Sequence, residues 1–427
     1  MVKINRWKQT FDRMNQFGKT DNGMTRLAYS KEEQGVTDCF IACCRASGLA
    51  VTFDPAGNVI ARRPGEDPDL PAVGLGSHLD TVYEGGQYDG VVGTLAALEI
   101  VRDLNDRKIR TRRPIDIFSF ACEESSRFGF SMIGSKLMAG LIKKEDIAKL
   151  TDKQGETIQS IFTRRGLDFD KVEEAGRSPN SLAAFLELHI EQGPILEAQN
   201  REIGVVTGIA APTRFSICVK GHAAHSGSTP MNQRHDALIG AAEIALELEK
   251  AARREMAYGT VATVGDIEIE PGAMNVVPGE TNLKVDIRSI SRPSKNRVVQ
   301  HLYETIDRLE QTRHLRIERT MISDEEPVRL DGQVIASFEK ACKKLKASYV
   351  KMPSGAGHDT MNMAALCPAG MIFIPSVGGI SHHPDEHTDL SQIVKGIEIL
   401  EETVLQWAES PSDADSGEGT TYEKSSL

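Results

Sequence analysis

The stretch PAVGLGSHLDTVYEGGQYDG, residues 71–90, begins as an apolar run and changes at His78 into a polar, glycine-rich segment. Nearly continuous apolar runs of this kind are typical of strands buried on both faces of a parallel sheet. A segment with helical periodicity, VGTLAALEIVRDLNDRK, follows from Val92. Three further apolar runs occur along the chain: PIDIFSFA (114–121), LAAFLELHI (182–190) and GMIFIPSV (370–377). The alternation of strand-like and helix-like segments predicts an α/β fold with a mixed, largely parallel sheet.

Each of the four runs leads into histidine or carboxylate side chains. In open α/β sheets, ligands collect beyond the carboxyl ends of the strands, so we expect these side chains to converge on one place. They are His78, Asp80 and Asp89 after the first run, Glu123 and Glu124 after the second, His189 in the third and His382 after the fourth. Taken singly, each has a structural explanation, since H-x-D is common in loops and Pro384 could fix the last turn. Their joint occurrence predicts a shared metal centre.

The ligand types narrow the choice of metal. Imidazole and carboxylate without thiolate suit Zn, Mn, Co or Ni, and we expect zinc first and manganese second. If Asp89 bridges, two ions can lie about 3.5–4 Å apart, as in two-metal hydrolases. Asp80, two residues beyond His78, is predicted to accept the other imidazole N–H of that histidine and so to fix its tautomer.

Length and composition indicate the class of partner. A chain of 427 residues exceeds the usual size of one core, so one large and one small domain are expected. The formal net charge of −11 disfavours nucleic acid, whose binding depends on Lys and Arg. No run approaches the ~18 apolar residues of a membrane helix, and the seven Cys include no C-x-x-C pair. We therefore predict a cytoplasmic protein that binds small molecules, not nucleic acid or membrane.

The middle of the chain forms a coherent insertion of strand-like and helix-like segments. It is predicted to be a small α/β sandwich, residues 213–326, inserted into a main domain formed by residues 1–212 and 327–408. The C-terminal stretch, residues 409–427, has little apolar content and is predicted to be a disordered tail.

Eight stretches carry a family resemblance: GSHLDTVYEGGQYDG, EESSRFG, ELHIEQGPILE, GHAAHSGSTPMNQRHDA, MNVVPGE, DIRS, SGAGHD and IPSVGGISHHP. Together they resemble the M20-type metal-dependent amidohydrolases that act on ureido and carbamoyl compounds. That group includes N-carbamoyl-L-amino-acid hydrolases, allantoate amidohydrolases and β-ureidopropionases. The resemblance extends from about Met24 to Leu405, and ELHIEQGP separates this group from the peptidases of the superfamily.

The resemblance implies a di-metal catalytic domain and two divalent metal ions per subunit. Glu123 matches the general base of the family. The implied ligands are His78, Asp89 and His189 at one metal position and Glu124 and His382 at the other, with Asp89 bridging. The inserted sandwich corresponds to the lid and dimerisation domain, so the resemblance also implies a homodimer.

The resemblance assigns further roles in the middle of the chain. His225 matches the histidine that stabilises the developing oxyanion, which in the family usually comes from the partner subunit. Asn275 and Arg288 match residues that hold the substrate, and Gln192 is expected to contact its polar end. From the residues alone, His222 is as good a candidate as His225, and Arg288 is better explained as a surface ion pair. His358 and Asp359 receive no direct chemical role.

The implied activity is hydrolysis of an N-carbamoyl-L-amino acid to the L-amino acid, carbon dioxide and ammonia. The close alternative is allantoate amidohydrolysis, toward which GMTRLAYS and DEEPVRL lean by resemblance. A more distant alternative is an M20 aminopeptidase or dipeptidase, which ELHIEQGP disfavours. A non-enzymatic binding protein is disfavoured because the base and all five implied ligands are in place. The expected substrate is therefore a small ureido or carbamoyl compound that bears a carboxylate.

Overall fold

The computed structural model describes residues 2–409, which divide into two units. The larger unit contains the chain up to Val206, Leu330–Lys351 and the chain from His358 onward. The smaller unit contains Thr207–Arg329 and Met352–Gly357. The predicted insertion, 213–326, lies within the smaller unit, but the sequence analysis did not assign 352–357 to it. The tail predicted at 409–427 lies outside the described residues except for Glu409.

The helices and strands have the following bounds. In chain order the strands are β1 (Lys19–Thr20), β2 (Gly23–Met24), β3 (Ala50–Phe53), β4 (Val59–Arg63), β5 (Ala72–His78), β6 (Ile115–Phe120), β7 (Leu182–Ile190), β8 (Ile203–Ile209), β9 (Ala211–Lys220), β10 (Ala224–His225), β11 (Val261–Glu270), β12 (Val276–Val277), β13 (Glu280–Ser289), β14 (Arg316–Asp324), β15 (Val328–Arg329), β16 (Tyr349–Ser354) and β17 (Ala369–Ile374). The α-helices are α1 (Ile4–Met14), α2 (Lys31–Ala46), α3 (Val91–Asp106), α4 (Ile133–Met138), α5 (Lys144–Ile147), α6 (Ile158–Arg164), α7 (Ile195–Ala198), α8 (Ala237–Arg254), α9 (Arg292–Arg313), α10 (Gly332–Lys344), α11 (Asp359–Met363) and α12 (Leu390–Glu409).

The four predicted apolar runs form the centre of the sheet in the larger unit. The strand order there is β8-β17-β7-β5-β6-β4-β3. The pairs β17/β7, β7/β5 and β5/β6 are parallel, whereas β8, β4 and β3 join antiparallel at the two sides. Helices α3 and α12 pack against β5, β7 and β17. The predicted α/β fold with a mixed, largely parallel sheet is confirmed.

The smaller unit is built on an antiparallel sheet with the order β11-β13-β9-β14. Strand β9 alternates strictly between buried and half-buried residues, as expected for a sheet that is covered on one face. Its buried residues Phe215, Ile217 and Val219 belong to the core that the sheet shares with α8 and α9. This arrangement is the predicted α/β sandwich.

Among residues 2–409, no helix has the length and apolar character needed to cross a membrane. The cytoplasmic location inferred from the cysteine pattern stays a prediction.

Candidate metal centre

Neighbouring parallel strands position the first candidate ligands. His78 is the last residue of β5 and His189 the next to last of β7, and both side chains are buried. Asp89 lies at the end of the loop after β5, one residue before the N-cap Gly90 of α3, where the positive end of a helix favours a carboxylate. Gly90 has a φ of 66°, and a Cβ there would lie 2.5 Å from Nε2 of His78. Glycine at this position therefore allows the chain to pass against the imidazole and present Asp89 to it.

Asp89 faces two sets of side chains, one through each carboxylate oxygen. Its Oδ1 lies 3.4 Å from Nε2 of His78 and 3.1 Å from Nε2 of His189. Its Oδ2 lies 3.2 Å from Nε2 of His382, which in turn lies 3.3 Å from Oε1 of Glu124. Each set is compact enough to hold one metal ion. The structure thus brings together all five residues that the resemblance implies as ligands, with Asp89 shared between the sets.

The outer hydrogen bonds of the two buried imidazoles determine which nitrogen faces Asp89. Nδ1 of His78 lies 3.0 Å from the carbonyl of Asp80, and Nδ1 of His189 lies 2.9 Å from the carbonyl of Ile190. A carbonyl can only accept, so each Nδ1 carries the proton in the neutral ring and each Nε2 presents a lone pair. Both lone pairs face a carboxylate, which is also an acceptor, and that of His189 additionally accepts the backbone N–H of Gly90 at 3.2 Å. A divalent cation fits between them, and the set of N and O donors suits zinc-like metals.

The electrostatics of the centre also favour a cation. Although burial works in the opposite direction, Glu123 and Asp89 raise the pKa of His78 well above its ordinary value. Hydrogen bonds to Asp89 and Glu124 raise the pKa of His382 to about 11. Burial opposes ionisation of Asp89, yet His189 and the other imidazoles hold the pKa of that carboxyl well below its usual range. The site therefore stabilises positive charge at the point where the donors converge.

Asp80 supports His78 through its backbone carbonyl and not, as predicted, through its carboxylate. Its carboxylate Oδ1 lies 3.6 Å from Nδ1 of His78, so the imidazole bonds the backbone carbonyl of Asp80 instead. The carboxylate accepts hydrogen bonds from the backbone N–H groups of Glu123 at 3.2 Å and Glu124 at 3.0 Å. The reason is local geometry, since the chain turns after β5 and directs the carbonyl toward the ring. Asp80 thus supports the histidine with its main chain and orients the paired glutamates with its side chain.

Glu123 and Gln192 lie beside the ligands. Oε2 of Glu123 is 3.8 Å from Nε2 of His78, and burial together with Glu124 and Asp359 holds the pKa of Glu123 well above its ordinary value. Nε2 of Gln192 donates to Oδ2 of Asp89 at 2.7 Å. Oε1 of Gln192 is buried and has no hydrogen-bond partner among the described residues. That oxygen is therefore available to a ligand at the centre.

His225 and Asn275 lie together in the smaller unit. Strands β10 and β12 pair His225 with Val276, and the backbone N–H of Ser226 donates to the carbonyl of Asn275 at 3.0 Å. Nδ1 of His225 accepts backbone N–H groups of Gly227 at 3.1 Å and of Ser228 at 3.2 Å. Nε2 of His225 must then carry the proton in the neutral ring, which makes it a donor.

Arg288 is fixed within the smaller unit by Asp286, which lies two residues earlier on the same strand, β13. Its Nη1 also donates to the carbonyl of Gly355 at 3.2 Å, a contact that involves the segment 352–357. Three of the five N–H donors of the guanidinium are used by these two partners. The other two donors have no hydrogen-bond partner within residues 2–409 and remain for a ligand. The ion pair of Arg288 that the residues alone predict is thus present, with Asp286 as its partner. It does not use all the N–H donors of the guanidinium.

Buried polar residues to which the sequence assigns no direct chemistry also lie near the centre. His358 is buried, and its ring lies edge-on to that of His189 at 4.6 Å. Burial, with His189 as the next contribution, lowers the pKa of His358 well below its ordinary value. Glu187, His189 and His358 form a further compact set, but Ser77 and Thr360 already donate to the carboxylate of Glu187. The SGAGHD motif was the available signal for His358.

The fold and the centre together define a metal-dependent amidohydrolase. The chain belongs to the M20 family, because the family model for Peptidase family M20/M25/M40 matches residues 74–406. It is 37% identical to an N-carbamoyl-L-amino acid amidohydrolase from Geobacillus stearothermophilus, over 96% of this chain and all of that protein. It is 36% identical to a ureidoglycolate hydrolase from Arabidopsis thaliana, over 90% of this chain and 82% of that protein.

Two further proteins are similar to this chain over nearly its whole length. An allantoate amidohydrolase from Escherichia coli is 34% identical, over 94% of this chain and 97% of that protein. A solved structure of an amidase of the hydantoinase/carbamoylase family from Burkholderia multivorans has a TM-score of 0.90 and 33% identity, over 96% of this chain and 99% of that one. The resemblance stated from the sequence and the prediction of an amidohydrolase are thus confirmed.

Proposed function

We propose that the protein hydrolyses the carbamoyl C–N bond of an N-carbamoyl-L-amino acid and releases the L-amino acid, carbon dioxide and ammonia. The observation that carries the proposal is the position of Asp89, whose two oxygens each face a separate set of metal-ligand side chains. Glu123 lies beside the first set, where the family places its general base. Zinc is the first metal we would test and manganese the second.

Different residues would activate water, stabilise the oxyanion and bind the substrate carboxylate. When bound, divalent ions supply Lewis acidity, which lowers the pKa of water and polarises a carbonyl. Glu123 accepts the proton of the water that attacks the carbamoyl carbon, and then delivers it to the nitrogen that leaves as the first C–N bond breaks. The carbamate that remains loses carbon dioxide, and this frees the second nitrogen. The Nε2–H of His225 is a suitable donor to the oxyanion. The two unused N–H groups of Arg288 suit the substrate carboxylate.

Three exposed apolar side chains support an amino-acid derivative over allantoate. Ile195, Val377 and Ile380 are 40%, 42% and 37% exposed, and they belong to two segments that lie against each other. They are close in sequence to residues of the centre, because Ile380 lies two residues before His382 and Ser376, next to Val377, accepts the backbone N–H of Gln192 at 3.1 Å. Allantoate is polar throughout, whereas an aliphatic amino-acid side chain would bury apolar surface against these residues. The alternatives remain allantoate, ureidoglycolate and, more distantly, a peptide.

The test is release of ammonia from N-carbamoyl-L-methionine, N-carbamoyl-glycine, allantoate and ureidoglycolate, with dipeptide cleavage measured in parallel. We expect wild type loaded with zinc or with manganese to be most active on the methionine derivative and chelated protein to be inactive. Glu123→Gln should lose about 10²-fold or more in kcat. Glu66→Gln, at an exposed loop carboxylate of the same unit, serves as the control and should retain wild-type activity. Highest activity on allantoate would contradict the substrate assignment, and rapid dipeptide cleavage alone would contradict the reaction.

We also propose that the active form is a homodimer in which His225 acts at the partner's metal centre, as the family resemblance implies. Mixing inactive Glu123→Gln and inactive His225→Ala protein tests this directly. If the subunits exchange at random and share sites, about one site in four regains both groups. If His225 acts within its own subunit, every site lacks one group and the mixture stays inactive.

A further inference from the structure

Glu386 is a buried carboxylate, 4% exposed, that connects two loops of the larger unit. Its Oε1 accepts the backbone N–H groups of Tyr88 at 2.8 Å and Asp89 at 3.1 Å, in the loop after β5. Its Oε2 accepts the hydroxyl of Ser381 at 2.8 Å, in the loop after β17. One side chain thus ties together the two loops that carry the shared ligand and His382.

The connection continues to the second proposed metal position. The hydroxyl of Ser381 lies 3.1 Å from Oδ2 of Asp89 as well as beside Glu386. A hydroxyl has a single proton, so it can serve only one of the two carboxylates fully at a time, and the shorter distance is to Glu386. The same Oδ2 of Asp89 faces Nε2 of His382. Glu386 therefore contacts the backbone of Asp89 directly and is linked to His382 through Ser381, so it supports two of the three residues of the second position.

The two metal positions differ in how their histidines are supported. His78 and His189 are buried at the ends of adjacent strands. His382 lies in a loop, its side chain is 48% exposed, and its backbone has a φ of 55°. Residues other than glycine rarely adopt that conformation, and neighbouring contacts must hold it. Glu386 supplies such a contact through Ser381, the residue directly before His382.

The loop after β5 is also shaped around this carboxylate. Gly86 lies so close that a Cβ at that position would overlap Oε1 of Glu386. The glycine allows the backbone to pass over Glu386 and to direct the N–H groups of Tyr88 and Asp89 at it. The loop after β5 and the loop after β17 therefore both pack against the buried carboxylate of Glu386.

We propose that Glu386 is a positioning residue for the second metal position, which is formed by Asp89, Glu124 and His382. It keeps these ligands at a fixed distance and orientation relative to the first metal position. This inference rests on the di-metal centre in the proposed function. Loss of the Glu386 carboxylate should weaken binding of the second ion and leave binding of the first nearly unchanged.

The experiment is calorimetric titration of metal-free protein with Mn²⁺ and, separately, with Zn²⁺. For Glu386→Gln we expect the first ion to bind as in wild type and the second about 10–100-fold more weakly, as for other residues that orient ligands. At saturating metal, kcat should return toward the wild-type value, whereas the metal concentration needed for half-maximal activity should rise. Asp385→Asn is the matched control, because this neighbouring carboxylate is 78% exposed and should leave both ions unaffected.

The outcomes separate this inference from the proposed function. Two ions that bind wild type and Glu386→Gln equally would overturn the role of Glu386 and leave the metal centre intact. A wild-type chain that binds no pair of ions would overturn both. If Glu386→Gln does not fold without metal, judged by circular dichroism, Ser381→Ala provides the second variant. It keeps the bonds from Glu386 to Tyr88 and Asp89, and weaker binding of the second ion alone is again the supporting result.

Discussion

Asp286 holds the guanidinium of Arg288 side-on, with Arg288 Nε 2.8 Å from Oδ1 and Nη2 3.2 Å from Oδ2. The same carboxylate accepts Nε of Arg214 at 2.8 Å, so two arginines share one partner. Only Arg288 is additionally bonded to the carbonyl of Gly355. The pair therefore offers an internal comparison between an arginine proposed to bind substrate and one that is not.

Arg288→Lys should raise KM for carboxylate substrates, because a lysine cannot reproduce the planar set of donors. Loss of hydrogen bonds to a charged group is worth about 1.5–3 kcal/mol, which corresponds to roughly a 10–100-fold loss in kcat/KM. Arg214→Lys, which perturbs the same carboxylate, should change kcat/KM by less than about threefold. Steady-state kinetics of both variants make the measurement, and equal losses would show that Arg288 has only a structural role.

The acid stability of the smaller unit should depend on Asp286. Burial opposes its ionisation, but hydrogen bonds from Arg288 and Arg214 outweigh burial and lower the pKa of Asp286. A carboxyl with a lowered pKa in the folded state stabilises the fold above its unfolded pKa, about 3.9, and this stabilisation is lost as the pH falls through the folded value. Asp286→Asn should therefore lower the free energy of unfolding by about 1–2 kcal/mol at pH 7 and by less near pH 3. Urea unfolding at both pH values tests this, and a difference that does not depend on pH would contradict it.

His225 and His222 differ in their hydrogen bonds, which gives a test of the proposed oxyanion donor. Only His225 has its Nδ1 occupied by two backbone N–H groups, which leaves Nε2–H as the donor. Removing one oxyanion donor typically costs about 10²–10³-fold in kcat, so His225→Ala should lose that much with a small change in KM. His222→Ala, at the exposed histidine three residues earlier, should remain within about threefold of wild type. A larger loss for His222→Ala than for His225→Ala would show that His222, and not His225, is the oxyanion donor.

The strand-borne part of the centre was predictable, because an apolar run with a polar end locates both a strand and the side chains beyond it. His78 and His189 were found in this way. Glu386 was not, because its bonds to Tyr88 and Asp89 join positions nearly three hundred residues apart that share no periodic pattern. Whether His78 bonds the backbone carbonyl or the carboxylate of Asp80 depends on the backbone path of the turn after β5. The identity of the residue does not determine that path.

Asp80→Asn tests the corrected role of that residue. An asparagine keeps the backbone carbonyl that bonds His78, so the first metal position should retain its affinity for Mn²⁺. It replaces one carboxylate oxygen by an N–H donor that faces the backbone N–H of Glu123 or Glu124, and repulsion should displace that segment. We expect a loss of about 10–100-fold in kcat with the first ion still bound. Loss of the first ion, measured by metal analysis after dialysis, would instead support a direct bond from the carboxylate to the imidazole.

The apolar residues beside the centre should determine side-chain preference. Ile380→Ser removes apolar surface two residues before His382 without touching a proposed ligand. Differences of this size in an apolar pocket are worth about 1–3 kcal/mol, so kcat/KM for N-carbamoyl-L-methionine should fall about tenfold or more. N-carbamoyl-glycine has no side chain to lose contact, and its kcat/KM should change by less than about twofold. Leu141→Ser, at an exposed leucine elsewhere in the larger unit, controls for a general effect of losing surface apolar area. A parallel fall on both substrates would show that Ile380 supports the loop of His382 and does not contact the substrate side chain.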